Sequence, residues 1–259
     1  MAETVSHATY APKLLAMRLA KAVSLSASER EFLTTHQQKA QLYRAGSELN
    51  PAPAAYAAPK VIVSGWANRQ RILPNGRCQL LSVLLPGDLI GCDPERPLEM
   101  ESVVAVNTVR AISAAPIYAR IAACPDEYSG IAAGLAALKR AEETRILNSM
   151  ARLGFQPALE RTANLLGELF VRCEAIGFVI DNAFAMPLTQ EMLANALGLS
   201  PVHVNRILAL LRRNGLINAA NGVVRITNAR ELARFADLMP EFTEPACDLK
   251  SRHYRALFG

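Results

Sequence analysis

The segment 188–226 carries two short helical patterns joined by a tight turn, and no other part of the chain limits the possible folds as strongly. It reads LTQEMLANALGLSPVHVNRILALLRRNGLINAANGVVRI. Thr189 is a good N-cap for the first helix, and Gly198 can adopt the left-handed conformation that a sharp turn requires. Ser200 can cap the second helix, with Pro201 at its first position, where no backbone donor is lost. These signals predict two short helices on either side of a sharp turn.

The second helix has an apolar side and a polar side. Apolar residues recur at i, i+3, i+4 and i+7, namely Val204, Ile207, Leu208 and Leu211. This spacing turns the apolar stripe inward and leaves the first turns of the helix facing outward. An outward-facing helix start is the part of a helix-turn-helix that enters the major groove of DNA. A purely structural helix pair is the alternative, but small Ala194 and Gly198 allow the close crossing that a helix-turn-helix needs.

Two kinds of DNA contact are expected from this segment. Val202, Asn205 and Arg206 are the candidates for base reading, Val202 through a thymine methyl group and the other two through hydrogen bonds. Phosphate contacts are expected from Thr189, Ser200, His203, Arg212 and Arg225. The complete set of candidate DNA-binding residues is Thr189, Gln190, Ser200, Pro201, Val202, His203, Asn205, Arg206, Arg212 and Arg225.

Charge and turn chemistry extend this prediction beyond the two helices. The turn Asn221-Gly222 between apolar runs predicts a β-hairpin wing after the second helix. No acidic residue lies between Glu191 and Glu231, whereas five arginines do. This distribution suits phosphate groups, although a solvated basic face is the alternative interpretation.

The segment from Val61 to Ser113 has a residue pattern typical of short strands. It contains the β-prone runs VIVSGW, NRQRIL, CQLLSVLL and SVVAVNTVRAIS, separated by Gly, Pro and Asn turn signals. Strands that are short and closely spaced predict an antiparallel roll or barrel. Before them, residues 12–45 read as two helices, the first opened by Pro12 and the second capped by Ser26 or Ser28, and residues 47–59 read as an irregular connection.

A long helix is predicted over residues 127–153. Its apolar stripe, interrupted by Glu142, consists of Ile131, Leu135, Leu138, Ile146, Met150 and Leu153. The stripe can pack on its own domain or form the seam of a two-helix dimer, and the residues alone do not separate these two interpretations. Gly154 is expected to end this helix, and Pro157 to start another.

Composition and motifs exclude several classes of protein. A hydrophobic fraction of 51% and a charged fraction of 20% fit a folded globular chain. No membrane span and no secretory signal are found, so a cytoplasmic location is expected. The five cysteines form no C-x-x-C pair and the four histidines are scattered, so neither a metal site nor another cofactor is expected. No phosphate-binding loop, dinucleotide-binding motif or nucleophile elbow occurs, so the chain is not expected to be an enzyme.

These motifs together resemble the Crp/Fnr family of transcription regulators, the family of the cyclic-AMP receptor and the fumarate–nitrate regulator. SGWANRQRILPNGRCQLLSVLLPGDLIG is similar to the sensor roll of that family. LERTANLLGEL is similar to the helix that opens its DNA-binding domain, and LTQEMLANALGLSPVHVNRILALLRRNGLI to its helix-turn-helix. The resemblance implies a homodimer that binds a two-fold symmetric site in double-stranded DNA. The two copies would pair through the long helix, at the dimerisation residues Ile131, Leu135, Leu138, Ile146, Met150 and Leu153. The resemblance also implies a partner such as RNA polymerase or another transcription protein.

The fold class implied is α+β, with an N-terminal β-roll of the cyclic-nucleotide-binding-like jelly-roll type, a long dimerisation helix and a C-terminal winged helix-turn-helix. The expected boundaries are N-terminal helices at 1–45, the sensor-like roll at 46–125, the dimerisation helix at 126–154, the DNA-binding domain at 155–239 and a tail at 240–259.

The chain departs from the family in its sensor. The stretch GCDPERPLEMES at 91–102, which resembles the site that cradles a cyclic phosphate, carries four acidic residues and one arginine. Glu101 falls near the place of the family's arginine, and Pro97 removes a backbone donor, so an anionic phosphate would be repelled. No cysteine precedes Cys78, so the cluster of the oxygen-sensing branch is absent, and His36 is a poor candidate for a haem ligand.

We therefore expect a sequence-specific DNA-binding regulator that acts as a homodimer and does not depend on cyclic nucleotides. The alternative is an interaction protein whose degenerate sensor binds a partner protein, with DNA binding secondary.

Overall fold

The computed structural model describes residues 7–35, 39–50, 58–91 and 102–235. Within this part the chain forms two compact units. The first comprises the described residues up to Ile72 together with Ser82–Thr144, and the second comprises Leu73–Leu81 and the residues from Arg145 onward. The predictions on His36, on most of the acidic stretch 91–102 and on the tail at 240–259 concern residues outside the described ranges.

Seven strands of the described chain build two sheets. They are β1 (Gln41–Tyr43), β2 (Lys60–Ser64), β3 (Ala67–Ile72), β4 (Cys78–Leu84), β5 (Leu89–Ile90), β6 (Ser102–Ala105) and β7 (Val109–Ser113). One sheet has the order β1-β7-β2-β5 and the other the order β4-β3-β6. The pairs β1–β7, β2–β7, β2–β5 and β3–β6 are antiparallel, as the turn signals predicted. Strand β1 lies in a stretch that was expected to be helical, so that expectation is corrected.

The core of the roll lies between these two sheets. Because side chains alternate along a strand, each sheet turns one apolar row inward. The two rows meet in one buried cluster that draws on both sheets, including Ile62, Ala67, Leu84, Val103 and Ala111.

Helices cover part of the roll from outside. They are α1 (His7–Ala22), α2 (Ala27–Thr35), α3 (Ala115–Ala123) and the beginning of α4 (Ser129–Phe155). They share a second buried cluster with residues of β2 and β7, such as Val61 and Ile112. Helix α1 begins at His7, so Pro12 lies inside it and does not open it as expected. Ser26 caps α2, since its Oγ accepts a hydrogen bond from the backbone N–H of Glu29 at 3.1 Å.

Helix α4 extends to Phe155. Gly154 therefore does not end it, and this expectation is corrected. The first half of its apolar stripe belongs to the core of its own unit, because Ile131 is 0% and Leu135 5% exposed and Leu138 packs against the same cluster. These residues are already covered within a single chain, so the dimer seam predicted at Ile131 and Leu135 stays a prediction that the burial of both residues does not favour.

The second unit is helical with a small sheet. Its elements are α5 (Ala158–Ala175), β8 (Ala183–Ala185), α6 (Gln190–Leu197), α7 (Pro201–Arg213), β9 (Ile217–Ala220), β10 (Val223–Ile226) and α8 (Ala229–Phe235). The three strands pair in the order β8-β10-β9. Pro157 precedes α5 as its N-cap residue, as expected. The structure confirms the α+β fold class, with antiparallel sheets, long helices and a C-terminal helix-turn-helix. No helix among the described residues is both long enough and apolar enough to cross a membrane.

Candidate nucleic-acid interface

Helices α6 and α7 form a helix-turn-helix whose turn follows the predicted chemistry. Thr189 caps α6, since its side chain accepts a hydrogen bond from the N–H of Met192 at 3.1 Å. Gly198 ends α6 in the left-handed conformation at a φ of 62°. Ser200 caps α7 by accepting from the N–H of His203 at 3.2 Å. These bonds satisfy backbone donors at both helix starts and hold the turn.

Helix α7 is fastened by its apolar side. The four residues of the predicted stripe, Val204, Ile207, Leu208 and Leu211, are 0%, 5%, 8% and 0% exposed. The opposite side of the first turns is open: Val202 is 62% exposed, and His203, Asn205 and Arg206 are exposed as well. The helix start is therefore presented outward while the body of the helix is anchored, which is the geometry that major-groove reading requires.

The hairpin of β9 and β10 forms next to this pair of helices. Asn221 and Gly222 both have positive φ angles, 51° and 72°, so the turn has the geometry expected for an Asn-Gly hairpin. Strand β10 also pairs with β8. The predicted wing is thus present as the centre and one edge of a three-stranded sheet.

Two arginines expected at phosphates are held by backbone carbonyls. Arg212 Nη1 donates to the carbonyl of Ala219 at 3.1 Å, and Arg225 Nη1 donates to the carbonyl of Asp181. Both side chains remain exposed. A guanidinium has five N–H donors, so one such bond orients the group and leaves donors for a phosphate.

The structure also joins two exposed amides across the helix pair. Asn205 Nδ2 on α7 donates to Gln190 Oε1 on α6 at 2.6 Å. Gln190 is the first residue of α6, directly after the cap, and Asn205 lies 15 positions further along the chain. This contact brings a predicted base-reading residue, Asn205, together with Gln190, another of the predicted DNA-binding residues.

A segment outside the helix-turn-helix borders the same surface. An open cleft of about 1050 Å³ is lined by Arg77 together with Thr189, Gln190, Ser200, Pro201 and His203. The segment Leu73–Leu81 is held there because Gln79 Nε2 donates to the carbonyl of Asn195 at 2.8 Å. Sequence reasoning missed Arg77 and Gln79, since a contact between residues 116 positions apart leaves no local pattern.

The cleft carries charges of both signs, since Glu191 lines it together with Arg77. Burial, and then the negative charge of Glu191, raise the pKa of the Cys78 thiol. Both effects disfavour the thiolate form of Cys78. No group of three His, Cys, Asp or Glu side chains in the described ranges could hold a metal ion.

Comparisons with known proteins agree with this geometry. Residues 160–235 match the family model of the Crp-like helix-turn-helix domain. The nitrogen fixation regulation protein FixK of Azorhizobium caulinodans is 29% identical over 160 residues, which are 61% of this chain and 62% of that protein. The anaerobic regulatory protein of Haemophilus influenzae is 27% identical over 213 residues, 75% of this chain and 76% of that protein. The chain thus matches less than two thirds of the length of the FixK relative.

Solved structures share the fold. FixK2 from Bradyrhizobium japonicum superposes with a TM-score of 0.64 at 24% identity, covering 76% of this chain and 96% of that one. A CRP-family transcriptional regulator from Thermus thermophilus gives a TM-score of 0.58 at 20% identity, with the same coverage.

The anchored helix pair, the outward start of α7 and the adjacent hairpin define a winged helix-turn-helix, a class of DNA-binding domain. Residues 160–235 thus match a Crp-like helix-turn-helix domain, the chain is similar to the two curated regulators, and it shares the fold of the two solved structures.

Proposed function

We propose that this protein is a sequence-specific DNA-binding transcription regulator that acts as a homodimer and does not require a cyclic nucleotide. The observation that carries the proposal is the start of α7, where Val202, Asn205 and Arg206 are exposed on the side opposite a buried apolar stripe. Side chains placed in this way can reach base edges while the helix keeps a single orientation.

The roles of the individual residues follow from their chemistry and position. The branched Val202 side chain suits a thymine methyl group, and the planar fork of Arg206 suits the O6 and N7 atoms of guanine. Thr189 and Ser200 stand at the two helix starts, and Arg212 and Arg225 lie farther from the start of α7. These four residues, together with His203, are proposed to contact phosphates.

The proposed dimer seam is the C-terminal half of α4, with a second copy of this chain as its occupant. Leu147 and Met150 are 64% and 63% exposed there, and Ile146 is partly exposed on the same side of the helix. Large apolar side chains exposed in a row favour a partner surface. Because Leu153 Cδ2 lies 3.3 Å from where a Cβ on Gly198 would stand, Leu153 supports the helix-turn-helix at least as much as a seam.

Independence from cyclic nucleotides is supported by charges inside the roll. Side chains two positions apart lie on the same face of a strand. Arg69 therefore shares a face of β3 with Ala67, and Ser82 shares a face of β4 with Leu84. Ala67 and Leu84 both belong to the core of the roll. Glu142 of α4 accepts from Arg69 Nε at 3.1 Å and Nη2 at 3.0 Å, and from Ser82 Oγ at 3.2 Å. Arg69 is therefore already neutralised by a carboxylate, and that carboxylate would repel an anionic phosphate. This contact also explains why Glu142 interrupts the apolar stripe.

A partner in transcription, RNA polymerase or another protein of that machinery, stays a prediction that follows from the proposed function.

The experiment that tests the proposal is selection of bound duplexes from a random DNA library with the purified full-length chain. The expected result is a two-fold symmetric motif whose half-sites lie about one helical turn apart. Recovery of duplexes without a shared motif would overturn sequence-specific binding and favour the protein-interaction alternative.

A further inference from the structure

The hydrogen bond between Gln190 and Asn205 lies where the two helices meet on the exposed side. Its donor and acceptor are 2.6 Å apart, and both residues are exposed. Exposed side chains can bond to water instead of to each other and then sample several rotamers. A direct bond between the two amides restricts both side chains.

Both partners have well-defined backbones. Gln190 follows the cap Thr189, whose hydroxyl bond to Met192 fixes the first turn of α6. Asn205 follows Val204, which is 0% exposed and holds that turn of α7 against the core. The pair is thus anchored at both ends, and its orientation is set by the helix crossing.

Asn205 also lies on the proposed reading surface. Exposed Val202 is three positions before it on α7, and exposed Arg206 is the next residue. Residues three positions apart lie side by side on one helix face. Val202 therefore neighbours Asn205 on one side and Arg206, four positions on, on the other side of the exposed helix surface.

The bond leaves Asn205 with one oxygen acceptor and one N–H donor, because an amide has two N–H groups and one oxygen. In the major groove adenine presents the N6 amino donor and the N7 acceptor side by side, the pattern that asparagine matches with two bonds.

We propose that Gln190 is a positioning residue that orients Asn205 to read one adenine in each half-site of the DNA. Gln190 acts through Asn205 and contacts no base itself. The inference rests on the proposed function, since it names a base that the DNA-binding surface recognises.

The test uses the full-length chain and every single-base variant of the duplex selected from the random library. Asn205→Ala identifies the base pair that Asn205 reads, because preference is lost there by about 5- to 150-fold. The expected preferred base at that position is adenine. Gln190→Ala is expected to lower preference at the same base pair and to leave the ranking at all other positions unchanged.

Two further variants separate positioning from a structural role. Gln190→Glu keeps an oxygen that accepts the Asn205 N–H, so it should restore the adenine preference even though its charge lowers affinity for all duplexes alike. Asn205→Asp removes the amide donors and should shift the preferred base toward cytosine, whose N4 group donates to a carboxylate. Gln41→Ala, at an exposed glutamine of the first unit, is the matched control and should change nothing.

The outcomes distinguish this inference from the function on which it rests. If the wild-type chain shows no base preference, the proposed function fails and the inference fails with it. If binding is sequence-specific but Gln190→Ala weakens all duplexes by one factor, Gln190 is a phosphate contact and only the inference is overturned. A base other than adenine at the position read by Asn205 overturns it as well.

Discussion

The Oε1 atom of Glu29 accepts a hydrogen bond from the backbone N–H of Ile131 at 2.7 Å. Its Oε2 atom accepts from the backbone N–H of Ser26, also at 2.7 Å. One carboxylate, 2% exposed, therefore satisfies donors at the starts of both α2 and α4. This explains how the N-terminal helices fix the beginning of the long helix, since uncapped N–H groups at a helix start need an acceptor.

Substituting this carboxylate should destabilise the first unit. Glu29→Ala is expected to lower the free energy of unfolding by about 2–4 kcal/mol, because two backbone donors lose their acceptor. Chemical denaturation followed by circular dichroism measures the change. Glu31→Ala, at an exposed glutamate of the same helix, is the control and should stay within about 0.5 kcal/mol of wild type. Equal stability of all three proteins would show that the Glu29 cap contributes nothing.

Cyclic AMP and cyclic GMP should neither bind nor change DNA affinity. The reason is the ion pair of Arg69 with Glu142, which places a carboxylate beside an arginine of strand β3. Calorimetric titration of the full-length chain with each nucleotide is expected to show no binding heat, and DNA affinity should be the same with and without them. Micromolar binding of either nucleotide would contradict this prediction.

The dimer prediction is tested at the exposed end of α4. Replacing Leu147 and Met150 together with Glu places like charges in the proposed seam and should convert the dimer to a monomer that still folds, since both side chains are exposed in a single chain. Asn148→Glu adds a charge on the opposite side of the same helix and should leave the dimer intact. Sedimentation gives the oligomeric state, and a monomeric wild type at micromolar concentration would refute the seam.

How much could be predicted from sequence depended on the distance between interacting residues. The caps at Thr189 and Ser200 and the turn at Gly198 were predictable because each acts within three or four residues of itself. The apolar period of α7 likewise predicted its buried side correctly.

Long-range contacts were beyond such reasoning. From the apolar stripe of α4, Ile131 and Leu135 were as good candidates for the dimer seam as its other residues. The N-terminal helices bury both side chains, and nothing near them in sequence indicates that packing. From the sequence, Glu142 was only an interruption of the apolar stripe, because its partner Arg69 lies 73 positions away. The helix α3 and the two-residue strand β5 were not predicted, since elements so short and apolar carry little periodicity.

The central claim is that the start of α7 reads DNA bases. It is tested most directly by comparing Arg206→Ala with Arg212→Ala on the preferred duplex and its single-base variants at several salt concentrations. Arg206→Ala should cost about 1–3 kcal/mol on the preferred duplex and relax preference at one base pair in each half-site. Arg212, nearly two turns further along, should affect all duplexes alike, and its removal should lower the salt slope by about one, because one phosphate is no longer neutralised. If Arg206→Ala instead lowers affinity equally for every variant, Arg206 is a phosphate contact and the placement of α7 in the major groove is contradicted.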